Sequence, residues 1–315
     1  MSTTTYDARW LKRPQPTADY TARSKFRAAG IAVGLTGLAL ALVPLVANLV
    51  AADEVSARRA STLAWSFGLN FTAFTLLKLG IAVTLMGIIV RLWMRVDGVK
   101  AALPRLKAPA EPEVEPTLGQ IETPFGKGRA TQIAPGALPP HLMARLLWAP
   151  MLAMGPILVL TGLVLSIVQA HKTGSPGTFQ TLGAWVQGTQ FLGEGLVLAG
   201  ISFLLGTILG SLRAGGGEVQ ESLGLIVKTL KMPKSGIAFI GLLLLGLTTA
   251  VAQFALYLVA AYGDVDQDVW FAFLGPMREV ALGTLLLGIV LALYTIGTVL
   301  GFQFHRIREI IVTGR

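Results

Sequence analysis

Hydrophobic and polar positions alternate on a long scale in this chain: six apolar stretches are separated by shorter polar segments. The stretches run approximately over Ala28–Ala51, Phe67–Leu92, Leu146–Val168, Leu192–Leu212, Ile237–Tyr262 and Val280–Phe302. A helix needs roughly 20 predominantly apolar residues to cross a hydrocarbon core. None of the six shows the strict alternation of a lipid-facing barrel strand, so each predicts a transmembrane helix. Short connections after the first, third and fifth stretches join them as three hairpins. The expected fold class is an all-α integral membrane protein.

Composition agrees, with 53% hydrophobic and only 14% charged residues. The net charge of +9 would suggest nucleic acid in a soluble protein,. Its distribution argues otherwise. Of 26 Lys and Arg, four (Arg58, Arg59, Lys172, Arg278) fall in the loops after spans one, three and five, and Lys78 falls inside a span. The remaining 21 flank the opposite ends. The positive-inside rule therefore predicts both termini in the cytoplasm, and the basic residues face anionic headgroups. The first apolar run exceeds a signal-peptide core of about 7–15 residues and is expected to be retained. With no cysteine, disulfides, thiolate metal sites and cysteine nucleophiles are excluded.

A cue recurs ahead of each hairpin: Leu11-Lys12-Arg13-Pro14, Leu106-Lys107-Ala108-Pro109 and Leu230-Lys231-Met232-Pro233. Spans one, three and five then share a phrase around Gly37, Gly162 and Gly246. Agreement in order and spacing predicts three parallel repeats about an axis along the membrane normal. Gly30/Gly34, Gly206/Gly210 and Gly297/Gly301 place small residues one turn apart, as close helix packing uses. Pro150 and Pro156 each remove a backbone donor from span three and predict kinks there.

The expected organisation is a cytoplasmic tail over 1–27, a first hairpin unit over 28–99 and a flexible linker over 100–140. The second unit covers 141–217, a membrane-surface helix 218–235, the third unit 236–302 and a second cytoplasmic tail 303–315. The linker is Pro-, Gly- and Glu-rich, with too little apolar surface for a core. The surface helix is read from Val219, Leu223, Ile226, Val227 and Leu230 at helical spacing,.

Candidate chemistry is sparse. The three histidines (His141, His171, His305) fall outside the spans and form no ligand pair on a helix face, so no metal, haem or other cofactor is expected,. Asp264, Asp266 and Asp268 resemble the start of a calcium loop. Val269 and Gly275 stand where that loop needs Gly and Glu,. A solvated acidic loop is the expected reading, with a weak cation site as the alternative. No nucleophile elbow, zinc-protease motif or phosphate loop occurs.

Lys78, Glu194 and Glu279 remain as an intramembrane charge layer in the outer half of the membrane. The repeat spacing predicts equivalent positions for them on spans two, four and six. Lone charges there are costly, and partners are expected. The structural reading is a staple holding the hairpins together; the functional alternative is a proton or ion relay. Together these features predict a non-catalytic accessory subunit of a larger complex in a bacterial-type plasma membrane. Its partners would be lipids and other membrane subunits, not nucleic acid. A small-solute or ion transporter is the alternative, and an enzyme acting on a lipid-like substrate a third.

Overall fold

A computed structural model describes residues 19–51, 55–102, 121–123, 126–130, 139–222, 227–263 and 265–313. Six long helices dominate it: α1 (Asp19–Ala51), α2 (Ser56–Ala102), α3 (Pro139–Ala170), α4 (Pro176–Ser222), α5 (Lys234–Tyr262) and α6 (Gln267–Thr313). All six are long and apolar enough to cross a membrane. The apolar stretches of the sequence lie inside them, and α3 runs unbroken through Pro150 and Pro156.

The odd helices have 33, 32 and 29 residues, and the even ones 47 each. At 1.5 Å per residue an even helix is about 70 Å long, against about 40–45 Å for a bilayer with its headgroups. The even helices therefore extend well beyond a membrane. We call the end holding the 51–56, 170–176 and 262–267 connections the loop end, and the other the terminal end.

Each odd helix packs antiparallel on the even helix that follows it, and glycine sets the approach. A side chain on Gly37 would meet the Ala73 carbonyl at 2.7 Å, and one on Gly246 would meet the Leu285 side chain at 2.7 Å. One on Gly162 would collide with Gln190. The shared phrase of the odd spans thus has a physical content, since its glycine lies against the partner helix in all three hairpins.

The three hairpins are not arranged evenly. In α4, 83% of the most apolar stretch is buried, against 17–33% in the other five helices. It is the central post, packed against α2, α3, α5 and α6, while α1 packs mainly on α2. The core gathers around α4 through Val197, Leu198, Ile201, Leu204, Leu205 and Ile208, all nearly inaccessible.

Two expectations are corrected at the terminal end. No separate helix spans 218–235: α4 continues to Ser222, and Lys228–Leu230 form a strand, β3. The 100–140 linker is not structureless throughout. Its Ile121–Thr123 (β1) and Gly126–Ala130 (β2) form an antiparallel hairpin, and β2 pairs antiparallel with β3. The apolar spacing over 219–230 suits a helix, but pairing with β2 overrides local propensity, as tertiary context does. Both segments supply one sheet, so neither could be read alone.

Candidate functional site: two buried polar ties on the central helix

About midway along α2 the Lys78 ammonium forms an ion pair with the Glu194 carboxylate on α4. The Lys78 side chain is 18% exposed and that of Glu194 only 8%. Glu279 is different. Its carboxylate accepts hydrogen bonds from the adjacent Arg278 at 2.7 and 3.0 Å, and it is 67% exposed. Arg278 also lies over the Phe71 ring, 5.4 Å from its centre, a cation–π contact joining α6 to α2,. Glu279 is thus held by Arg278 at an exposed position. It is not a third member of the buried pair.

Helix register explains this correction. Gly37 packs at the level of Ala73–Leu77, Gly162 at Thr189–Gln190 and Gly246 at Ala281–Leu285. From those levels Lys78 and Glu194 lie about one turn or less towards the terminal end, whereas Glu279 lies about a turn the other way. Counting residues from each glycine cannot show this, because the odd helices run 14, 8 and 16 residues past Gly37, Gly162 and Gly246 before they turn.

The sequence reading missed the polar side chains that lie between this pair and the loop end. Gln190 stands one turn before Glu194 and donates from Nε2 to the Gly68 carbonyl at 3.1 Å. Gln253 on α5 donates to the Leu274 carbonyl of α6, and the Tyr257 hydroxyl donates to Gln187 Oε1 at 3.2 Å. Asn48 Oδ1 on α1 accepts from the Ser66 hydroxyl of α2 at 2.6 Å. Thr75 Oγ1 and Gln190 Oε1 are buried without a hydrogen-bond partner among the described residues. An amide within an apolar run, at helical spacing from a carboxylate, is the signal that would have found them.

A second polar tie lies at the terminal end, and it too was missed. Arg213 on α4 donates from Nη2 to the Leu230 carbonyl at 3.1 Å, and its Nη1 is 3.3 Å from His141 Nε2. Gln220 acts like a strand. Its Oε1 accepts from the Lys228 backbone N–H at 2.9 Å, and its Nε2 donates to the Lys228 carbonyl at 3.1 Å. Arg306 on α6 donates from Nε to the same Gln220 oxygen at 3.3 Å. His141, Arg213, Gln220 and Arg306 are all buried. Gly216 leaves room for the Gln303 amide, which any side chain there would strike. In sequence Arg213, Gln220 and Arg306 resemble ordinary membrane flanks, and His141 alone stands out as a histidine.

The other candidates are less connected. Asp266 is exposed, directly precedes α6 and accepts from the Val269 N–H at 3.4 Å, as an N-cap does,. Asp264 lies outside the described residues, and of Asp268 only the helical backbone is described. Among the described residues no three His, Asp or Glu side chains group as metal ligands. Gly80 nests against the backbone of Gly30 and Gly34, and Gly206 and Gly210 face Ala144 and His141. A side chain on Gly297 would meet nothing within 4 Å. For Gly301 only half-burial is described. Comparison with protein-family models, with curated proteins and with solved structures finds no match.

Proposed function

We propose that this chain is a non-catalytic subunit of a larger membrane complex. It sits in a bacterial-type plasma membrane with both termini in the cytoplasm, and is built as three repeated hairpins. One observation carries the reading: the two polar ties are separated by an apolar core. Between Glu194 and Arg213, about 28 Å along α4, the buried residues are overwhelmingly apolar. The buried hydroxyls there, Ser202 and Thr207, donate to carbonyls one turn back on their own helix. A relay needs a chain of polar steps, and among the described residues α4 offers only these self-bonded hydroxyls between the two ties. The ionisable groups instead fasten helices at two levels, as a rigid scaffold requires. Even helices that outreach the bilayer add surface for partner chains.

The alternative is a proton or ion transporter working at the Lys78–Glu194 pair. It is favoured by the unpartnered Thr75 Oγ1 and Gln190 Oε1, each within about one turn of that pair along its helix,.

Purification from native membranes in mild detergent separates the two. The subunit reading expects stoichiometric co-purifying chains. A lone monomer whose melting temperature rises with one particular cation would sink it in favour of transport.

A further inference from the structure

The terminal half of the bundle carries a cavity of about 410 Å³ between α3, α4 and α5, within the range of small-molecule sites, roughly 300–1,000 Å³. Both α3 and α5 lean on α4, and the gap between them is walled by Met143 and Leu147 on one side and Phe239 and Leu244 on the other. Phe203 and Gly206 of α4 form its floor. The cavity opens where a bilayer's acyl chains would lie, since Met143 and Leu244 are exposed on its rims. His141 closes it at the terminal end.

Charge identifies the occupant. Arg145 on α3, with Lys231 and Lys234 at the start of α5, is exposed around that end. The flanking segments 139–147 and 227–247 contain no Asp or Glu. An apolar slot parallel to the helices, with cations and no carboxylate in the described segments that flank it, matches an anionic amphiphile. The geometry points to a specific site for an anionic phospholipid of the surrounding membrane, with an acyl chain in the α3–α5 groove and its phosphate beside Arg145, Lys231 and Lys234. This site is independent of the subunit reading, because a scaffold and a transporter would both bind such a lipid here.

The test uses the full chain, delipidated in detergent and then exposed to vesicles of equal phosphatidylglycerol and phosphatidylcholine. Native mass spectrometry counts the retained lipids. Wild type is expected to keep one phosphatidylglycerol in preference to phosphatidylcholine. Met143→Trp and Leu244→Trp fill the groove from its exposed rims and should abolish retention. Leu287→Trp, also on an exposed apolar face, should leave it intact. Lys231→Gln and Lys234→Gln should each lower phosphatidylglycerol retention about fivefold, as expected for a basic residue near an anionic surface. If the groove variants lose thermal stability, the exposed lysine variants decide alone. Equal retention of both lipids by wild type would overturn the proposal, as would unchanged lipid preference in the lysine variants.

Discussion

At the residue scale the close approaches are carried by glycine, and the structure separates glycines that pack from those that do not. Gly155 and Gly193 sit face to face where α3 crosses α4. A side chain on Gly193 would lie 2.6 Å from the Gly155 carbonyl and 2.9 Å from the Val159 nitrogen. Two backbones cannot yield as a flexible side chain does. Gly193→Val should therefore destabilise the bundle by at least the ~1–3 kcal/mol typical of overpacking, read as a lower melting temperature in detergent. Gly283 and Gly297 on α6 are exposed, with nothing within 4 Å of an added side chain. Gly283→Ala and Gly297→Ala should leave stability unchanged or raise it by up to ~1 kcal/mol, the helix-propensity difference. The Gly-x-x-x-Gly pattern reads identically at Gly206/Gly210, which face α3, and at Gly297, where an added side chain would meet nothing within 4 Å. Spacing shows where helices are able to meet; whether they do depends on which face the rest of the helix buries.

At the element scale the helices were legible and the sheet was not. Apolar runs of this length leave a chain few options in a bilayer, so the spans followed from the sequence almost directly. Strand β3 has three residues and owes its existence to β2, roughly 100 positions away in the chain,. No local pattern could announce it. Gln220 joins it to α4 by bonding both backbone groups of the half-buried Lys228, and removing that amide takes both bonds away, at ~0.5–1.5 kcal/mol each,. Gln220→Ala should speed hydrogen exchange at Lys228–Leu230 while α5 stays protected; unchanged exchange there would contradict the tie. The orientation of the six helices is tested separately. Because the chain has no native cysteine, single cysteines at Ser56, Ser175 and Asp266 give a clean readout. The charge partition predicts that each labels from outside with an impermeant reagent and that one at Thr117 does not. Labelling at Thr117 instead would invert the topology.

At the scale of the whole molecule the question is what the Lys78–Glu194 pair does for a bundle hung on one helix. Hairpin one meets the rest through α2, which packs on α3 and α4, and this ion pair is its charged link to the central post. Removing one partner leaves the other charge uncompensated at low dielectric, which typically costs about 3–5 kcal/mol. Lys78 is partly exposed, so snorkelling should reduce that figure. Lys78→Met should therefore lower the melting temperature clearly. Glu194→Gln in the same chain should recover part of the loss, because no lone charge then remains. Substituting Glu279→Gln instead should recover little, since that carboxylate is exposed and held by Arg278. This asymmetry between the two glutamates is the sharpest contrast between the structure and a symmetric three-membered layer. Equal rescue by either would restore the symmetric layer. If Lys78→Met melts like wild type and couples to neither glutamate, the pair holds nothing together. A double neutral variant that folds normally yet stops proton or cation flux in proteoliposomes would show that the charges exist for transport.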